Sequence, residues 1–199
     1  MTRDDPTTVA IVPLTPATWP RLADLFSAGG DPRWCWCQFW RKPGSNWTNT
    51  TPEDNRADLE ALAHADPSPG LVALRDGEAV GWVGFGPRSD FRRLARSRTL
   101  PQLPPDEVWS VNCFVVARGA RGSGIAGALL DAAVAYAADH GASIVEGYPV
   151  ETEGGRIPSA SVYTGTAAMF RRAGFEWAAD STSKASSGPR RVVMRRGLG

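Results

Sequence analysis

The chain has 199 residues, a formal net charge of +1 and 22% charged residues, a poor match to a dedicated nucleic-acid binder. Three cysteines, two of them in Cys35-Trp36-Cys37, make no disulfide framework and suit a reducing compartment. A polar, partly acidic start (Met1–Pro6) is unlike a signal peptide, and the longest apolar stretch, around Ile125–Ala138, carries Asp131 and is too short to span a bilayer. These properties set the expectation of one cytoplasmic domain over residues 1–199 with no membrane partner.

In chain order, Thr8–Pro13 reads as a first strand. Pro16–Phe26 reads as a first helix with Leu22, Leu25 and Phe26 on its apolar face, stopped by Gly29-Gly30. Trp34, Trp36, Trp40 and Trp47 then crowd into 14 residues. Pro52–Ala65 reads as a second helix with acids near its start, where the helix dipole favours them. Leu71–Arg75 and Ala79–Phe85 flank Asp76-Gly77, a pair that supplies the positive φ angles of a tight hairpin. Five arginines between Arg88 and Arg98 read first as a solvated basic face, with an acidic acceptor, a cofactor phosphate or RNA as its other uses. Residues 106–116 read as a central strand. A helix over Gly124–Asp139 carries Ile125, Leu129, Ala133 and Ala137 at four-residue spacing. Ser143–Tyr148 follows as a strand, Pro149–Ser161 as a polar loop, 163–173 as the last helix, and Phe175–Ala178 and Arg190–Arg195 as strands either side of a Ser/Lys/Gly loop.

The stretch from Val108 to Leu130 carries the chemistry. An apolar run ends at Val116, a basic glycine-rich loop follows, and a helix opens near Gly124. The first amides of a helix lack intrahelical partners and sit at the positive end of the dipole, and glycines let a bulky anion approach them. Arg118 and Arg121 add full charges, so this is where a phosphate would sit. Gly122-x-Gly124-x-x-Gly127 matches a dinucleotide fingerprint, with Glu146 about 20 residues on. In that fold, however, the first glycine follows the strand almost at once, whereas here five residues intervene, and only 53 residues remain after Glu146 for further strand–helix units.

Arg121-x-x-Gly124-x-Ala126, after a strand ending Val115-Val116 and before an alanine-rich helix, resembles the acyl-CoA signature of the GCN5-related N-acetyltransferases (GNAT). Ala167–Phe175, closing in Gly174-Phe175, resembles that family's helix beside the pantetheine. The resemblance covers roughly residues 105–178. It implies an α/β fold with a central mixed, twisted sheet of six to seven strands flanked by about four helices. It also implies acetyl-CoA as cosubstrate and no metal. Phe114, Val115 and Val116 would offer backbone groups to the acyl and pantetheine parts. Arg121, Gly122, Ser123, Gly124, Ile125 and Ala126 would hold the pyrophosphate, and Thr164 takes the place of the family's cofactor-binding asparagine.

The family's catalytic groups are displaced in this chain. Phe170 stands where many members have a tyrosine that protonates the thiolate, and Ser110 and Asn112 lie where many have a glutamate. Tyr163, preferred to Tyr148, is the candidate acid, and Glu146 is the candidate base, acting through water; Asp106 and Glu107 are weaker bases at a strand start. Trp34, Trp36 and Trp40 are candidates for the acceptor pocket, because the family builds it from the loop after its first helix and aromatic faces suit a flat apolar or cationic amine. The reading is acetyl transfer to a primary amine of a small molecule by direct attack. A protein or aminoacyl-tRNA acceptor and a non-catalytic acyl-CoA sensor are the alternatives, and a homodimer is left open.

Overall fold

The computed structural model describes residues 8–105, 107–152, 158, 161–182 and 190–199. Seven strands, β1 (Ala10–Pro13), β2 (Gly70–Arg75), β3 (Glu78–Pro87), β4 (Trp109–Val116), β5 (Ile144–Gly147), β6 (Glu176–Asp180) and β7 (Val192–Gly197), form a mixed sheet in the order β1-β2-β3-β4-β5-β7-β6. Every neighbouring pair is antiparallel except β4 and β5, which are parallel. The β2–β3 hairpin turns at Asp76-Gly77 with φ of 54° and 81°, the positive angles the sequence requires of a tight turn.

The helices are α1 (Trp19–Ser27), the one-turn α2 (Pro32–Cys35) and α3 (Gly44–Trp47), α4 (Pro52–Leu62), the one-turn α5 (Arg92–Ala95), α6 (Ile125–Asp139) and α7 (Ala167–Arg172). On one face of the sheet, Ile125, Leu129, Leu130, Ala133, Val134 and Ala137 of α6 are buried against β2, β3 and β4. Gly81 makes that contact close: a Cβ there would lie 2.7 Å from Ile125 Cγ2. On the other face, Trp19, Leu22 and Phe26 of α1 pack with Leu59 of α4, Trp36 and Trp82. α4 starts from a reciprocal cap, in which Thr51 Oγ1 accepts from Asp54 N–H and the Asp54 carboxylate from Thr51 N–H.

Two features of β4 position the site. Gly84 pairs with Cys113 and Phe85 with Val111, so Asn112 is an extra residue in β4, a bulge that bends the strand. β4 and β5 pair over only three positions, Trp109–Val111 with Val145–Gly147, before β5 ends and β4 runs on to Val116. The strands therefore part, and the sheet opens a wedge beside the second half of β4.

Boundaries differ from the sequence reading in one consequential place. The last helix begins at Ala167 rather than 163, because Thr166 caps it by accepting from Met169 N–H at 3.3 Å. Tyr163 and Thr164 thus lie on the preceding loop. Asp106, the centre of the 149–161 loop and the Ser/Lys/Gly loop fall outside the described residues. No described helix is long and apolar enough to cross a membrane.

Candidate active site

The wedge holds a cleft of about 890 Å³, which runs from the loop that opens α6 to the segment between α1 and α3. A groove of about 660 Å³ continues it over Gly122, Gly124 and the first turns of α6, sharing Val116, Arg121, Ala126 and Met169 with the cleft.

At the loop end, Gly122 and Gly124 have φ of 79° and 84°, a left-handed backbone that costs other residues about 1–2 kcal/mol each. A Cβ built at Gly119, Gly122, Gly124 or Gly127 would meet nothing within 4 Å, so open space stands over the turn. The first bond of α6 runs from Ala128 N–H to Gly124 C=O, leaving the amides of Ile125, Ala126 and Gly127 ahead of it. Arg118 and Arg121 line the cleft, with Arg121 Nε donating to Val116 C=O at 3.2 Å. Ser123 turns its hydroxyl back to Ala120 C=O at 2.7 Å within the turn. Open space, glycine geometry and positive charge fit a diphosphate.

Along β4 the roles divide. Phe114 N–H donates to Tyr163 C=O at 2.6 Å, and Ala117 N–H to Val80 C=O on the other side. Backbone direction alternates along a strand, so Val115 faces β3 while Val116 faces the wedge with Phe114. With the Phe114 amide engaged and the Val116 carbonyl taken by Arg121, the Val116 N–H is the strand donor left facing the wedge.

Tyr163 lies on the cleft wall. Burial pushes its phenol up to about 12, with Arg191, over the ring at 5.4 Å, pulling the other way. The hydroxyl therefore keeps its proton at any ordinary pH. Phe170 is fully buried and meets Phe114 and Phe175 edge-on, and a Cβ on Gly147 would lie 2.1 Å from its ring. It is a core plug. Thr164 is also fully buried and off the cleft wall, and its hydroxyl finds no partner among the described residues.

Glu146 is placed differently from the sequence reading. It is 1% exposed and absent from the cleft wall. One oxygen accepts from Arg195 Nε at 2.7 Å and Nη2 at 2.6 Å, and the other from Tyr148 Oη and from Arg88 Nη1 at 3.5 Å. The Ser110 and Tyr148 hydroxyls lie 3.2 Å apart and extend the network. The structure thus places Glu146 in a buried ionic network off the cleft wall, rather than beside the wedge where a base would meet the acceptor. Glu107 is exposed and lies two residues before β4 begins.

The tryptophans also redistribute. Trp36 is buried against Trp19 and Phe26, Trp40 stacks on Tyr148 at 6.3 Å, and Trp34 is half-exposed against the edge of Trp47. None of these three is on the cleft wall; Trp47, Phe39 and Cys35 are. The cause is local: Trp36 and Cys37 have φ of 42° and 54°, and these left-handed residues end α2 and break the helical spacing. Likewise, the arginine cluster is only partly a solvated face. Arg88 is buried on Glu146, and Arg93 lies over the Phe39 ring at 4.1 Å with Nε donating to Phe39 C=O at 2.7 Å. Arg92, Arg96 and Arg98 are exposed.

Cys35 and Cys113 line the cleft, and the Cys37 and Cys113 sulfurs lie 2.7 Å apart. Burial pushes the Cys35 thiol up to about 12 and that of Cys37 well above its ordinary value. Thiols held protonated in this way are poor nucleophiles. No group of three or more ligating side chains suited to a metal occurs among the described residues.

A turn with bare amides at the head of a helix, set beside a strand that splays from its parallel neighbour, fits an acyl-CoA-dependent transferase. The model of the acetyltransferase (GNAT) family matches residues 34–164, and the chain belongs to that family of N-acetyltransferases, whose cosubstrate is acetyl-CoA and whose acceptors are amines. The fold is similar to that of a GNAT-family acetyltransferase from Streptococcus pneumoniae, with 14% identity over 96% of this chain and 100% of that one and a TM-score of 0.56. It is also similar to a GCN5-related N-acetyltransferase from Kribbella flavida, with 20% identity, coverage of 98% and 100% and a TM-score of 0.55. An N-acetyltransferase from Staphylococcus aureus gives 14%, 96% and 99%, and a TM-score of 0.56. A comparison with the curated proteins gives no match.

Proposed function

We propose that the chain is one catalytic domain that moves an acetyl group from acetyl-CoA to the primary amine of a small molecule by direct attack. The observation that carries this reading is that a groove over the glycine-rich turn runs on into the cleft walled by Val116 and Tyr163. Bound there, acetyl-CoA would supply an activated acetyl group. The amides from Arg121 to Ala126 would hold the diphosphate, with Phe114, Val115 and Val116 alongside the acyl arm. The Val116 N–H would meet the carbonyl oxygen as negative charge develops on it. Tyr163 Oη would give its proton to the departing sulfur. A protonated alkylamine, with a pKa of about 10.4, must lose a proton, which water in the cleft would accept, before it attacks. Holding amine and thioester together would contribute several kcal/mol through effective molarity, roughly 7–11 at the upper limit.

Direct attack is favoured over an acyl-cysteine because the Cys35 thiol on the wall stays protonated. A small acceptor is favoured because the cleft is walled by rings and because two of the arginines that would meet a macromolecule, Arg88 and Arg93, are committed inward. The test is thiol release from acetyl-CoA against small amines, a lysine peptide and a charged tRNA. Turnover confined to small amines is the expected result. Turnover with the peptide or the tRNA alone overturns the acceptor class. Tight cofactor binding with no turnover on any acceptor points to a sensor.

A further inference from the structure

Two of the three cysteines meet across a long stretch of chain. The Cys37 and Cys113 sulfurs, 76 residues apart in sequence, lie at 2.7 Å, while both remain free thiols. A disulfide bond measures about 2.0 Å, so closure asks little movement of either side chain.

The fold creates this contact from both sides. The extra residue at Asn112 turns β4 over: Val111 and Phe114 both pack in the core shared with α6, so Cys113 between them faces the cleft instead. Opposite Cys113 in the ladder stands Gly84, where a Cβ would come to 3.3 Å from the Trp82 indole nitrogen. That buried indole donates to Cys37 Sγ at 3.2 Å and holds the sulfur beside Cys113. The left-handed turn at Trp36 and Cys37 delivers the thiol from the segment after α2. The pair is also reachable, because Cys113 lines the cleft and Cys37 is half-buried.

We propose that Cys37 and Cys113 are a modification site, a reversible disulfide that clasps the segment carrying Cys35 and Phe39 to the strand carrying Val116. Its oxidant is a small-molecule disulfide such as oxidised glutathione. The Cys113 sulfur displaces one glutathione thiol and forms a mixed disulfide, and the Cys37 sulfur displaces the second. Two S–H bonds of the protein are exchanged for one S–S bond, and two electrons and two protons leave with two molecules of glutathione. Cys35 stays a thiol, because the sulfur in contact with Cys113 is that of Cys37. The proposal is independent of the acetyltransferase reading, in which neither thiol takes part.

The test incubates the full chain with oxidised glutathione and then with dithiothreitol. Burial raises the Cys37 thiol, which slows closure near neutral pH, so the reaction is run under mildly alkaline conditions. Intact mass should fall by two hydrogens, free thiols should drop from three to one, and a non-reducing digest should join the Cys37 and Cys113 peptides. The bond closes a long loop and restricts the unfolded chain, so Tm should rise by about 4–16 °C and return with dithiothreitol. Amides from Cys35 to Phe39 should exchange more slowly in the oxidised chain. Cys35→Ser should still close, and Cys37→Ser and Cys113→Ser should not. The digest reads the wild type alone, so the result does not depend on a variant folding. A bond that involves Cys35, a glutathione adduct that persists in its place, three intact thiols, or a Tm that fails to rise overturns the proposal.

Discussion

Tyr163 and Glu146 have exchanged prominence between sequence and structure, and the reason is solvation. Both are ionisable residues near the parting strands. The phenol lies on the cleft wall with its proton locked on by burial, while the carboxylate is buried among two guanidinium groups and a tyrosine. Tyr163→Phe keeps the ring and removes the donor, so kcat should fall about 10²-fold with acetyl-CoA binding preserved in calorimetry. Because the phenol titrates at about 12, kcat should show no descending limb up to about pH 10. The raised value also bears on stability: what the protonated phenol contributes is complete below its ordinary pKa of about 10 and is lost as pH rises through about 12. Glu146→Gln should behave in the opposite way. Breaking a buried pair costs about 3–5 kcal/mol, a fall in Tm of about 6–20 °C for a chain of this size, with the chemical step little changed. The letters leave Glu146 open between a base and an arginine-paired acid at a strand end, and nothing local to it announces which arginines, Arg88 and Arg195, will reach it.

At the scale of elements, the turn and α6 were the legible part, because their signal is local. Glycines at 122 and 124 and the four-residue spacing from Ile125 to Ala137 specify a helix with a bare start, and the structure has both features. Gly124→Ala should strain the turn by about 1–2 kcal/mol and misalign its amides, so acetyl-CoA affinity should drop about tenfold or more while circular dichroism stays unchanged. Gly81, whose importance no local rule shows, seats the same helix from across the sheet and pairs with Val116. Gly81→Val should lift α6 away, with overpacking costing about 1–3 kcal/mol, and should reduce Tm and cofactor affinity together. The tryptophan segment was the illegible part. Left-handed residues at Trp36 and Cys37 reverse the direction of the chain in midstream, so spacing cannot say that Phe39 and Trp47 face the cleft while Trp36 and Trp40 face the core.

Across the whole molecule, hydrophobic alternation and hairpin chemistry made the strands readable, and the family resemblance supplied their order. The bulge at Asn112 was not readable, because it arises from register against β3 rather than from any signal within β4. The three-pair contact between β4 and β5 divides the sheet into a four-stranded and a three-stranded half. Its middle pair is Ser110 with Glu146, and the ionic network of Arg88, Arg195 and Tyr148 is threaded through that point. The salt bridges thus act as a rivet at the vertex of a pair of jaws, where so few backbone bonds could not hold alone. In heavy water the amides of Val111 and Gly147 should exchange sooner than those of the β2–β3 hairpin, and sooner still once Glu146 is replaced by glutamine. A ligand lodged between the jaws should slow that exchange, so the vertex can report on occupancy from the far end of the groove.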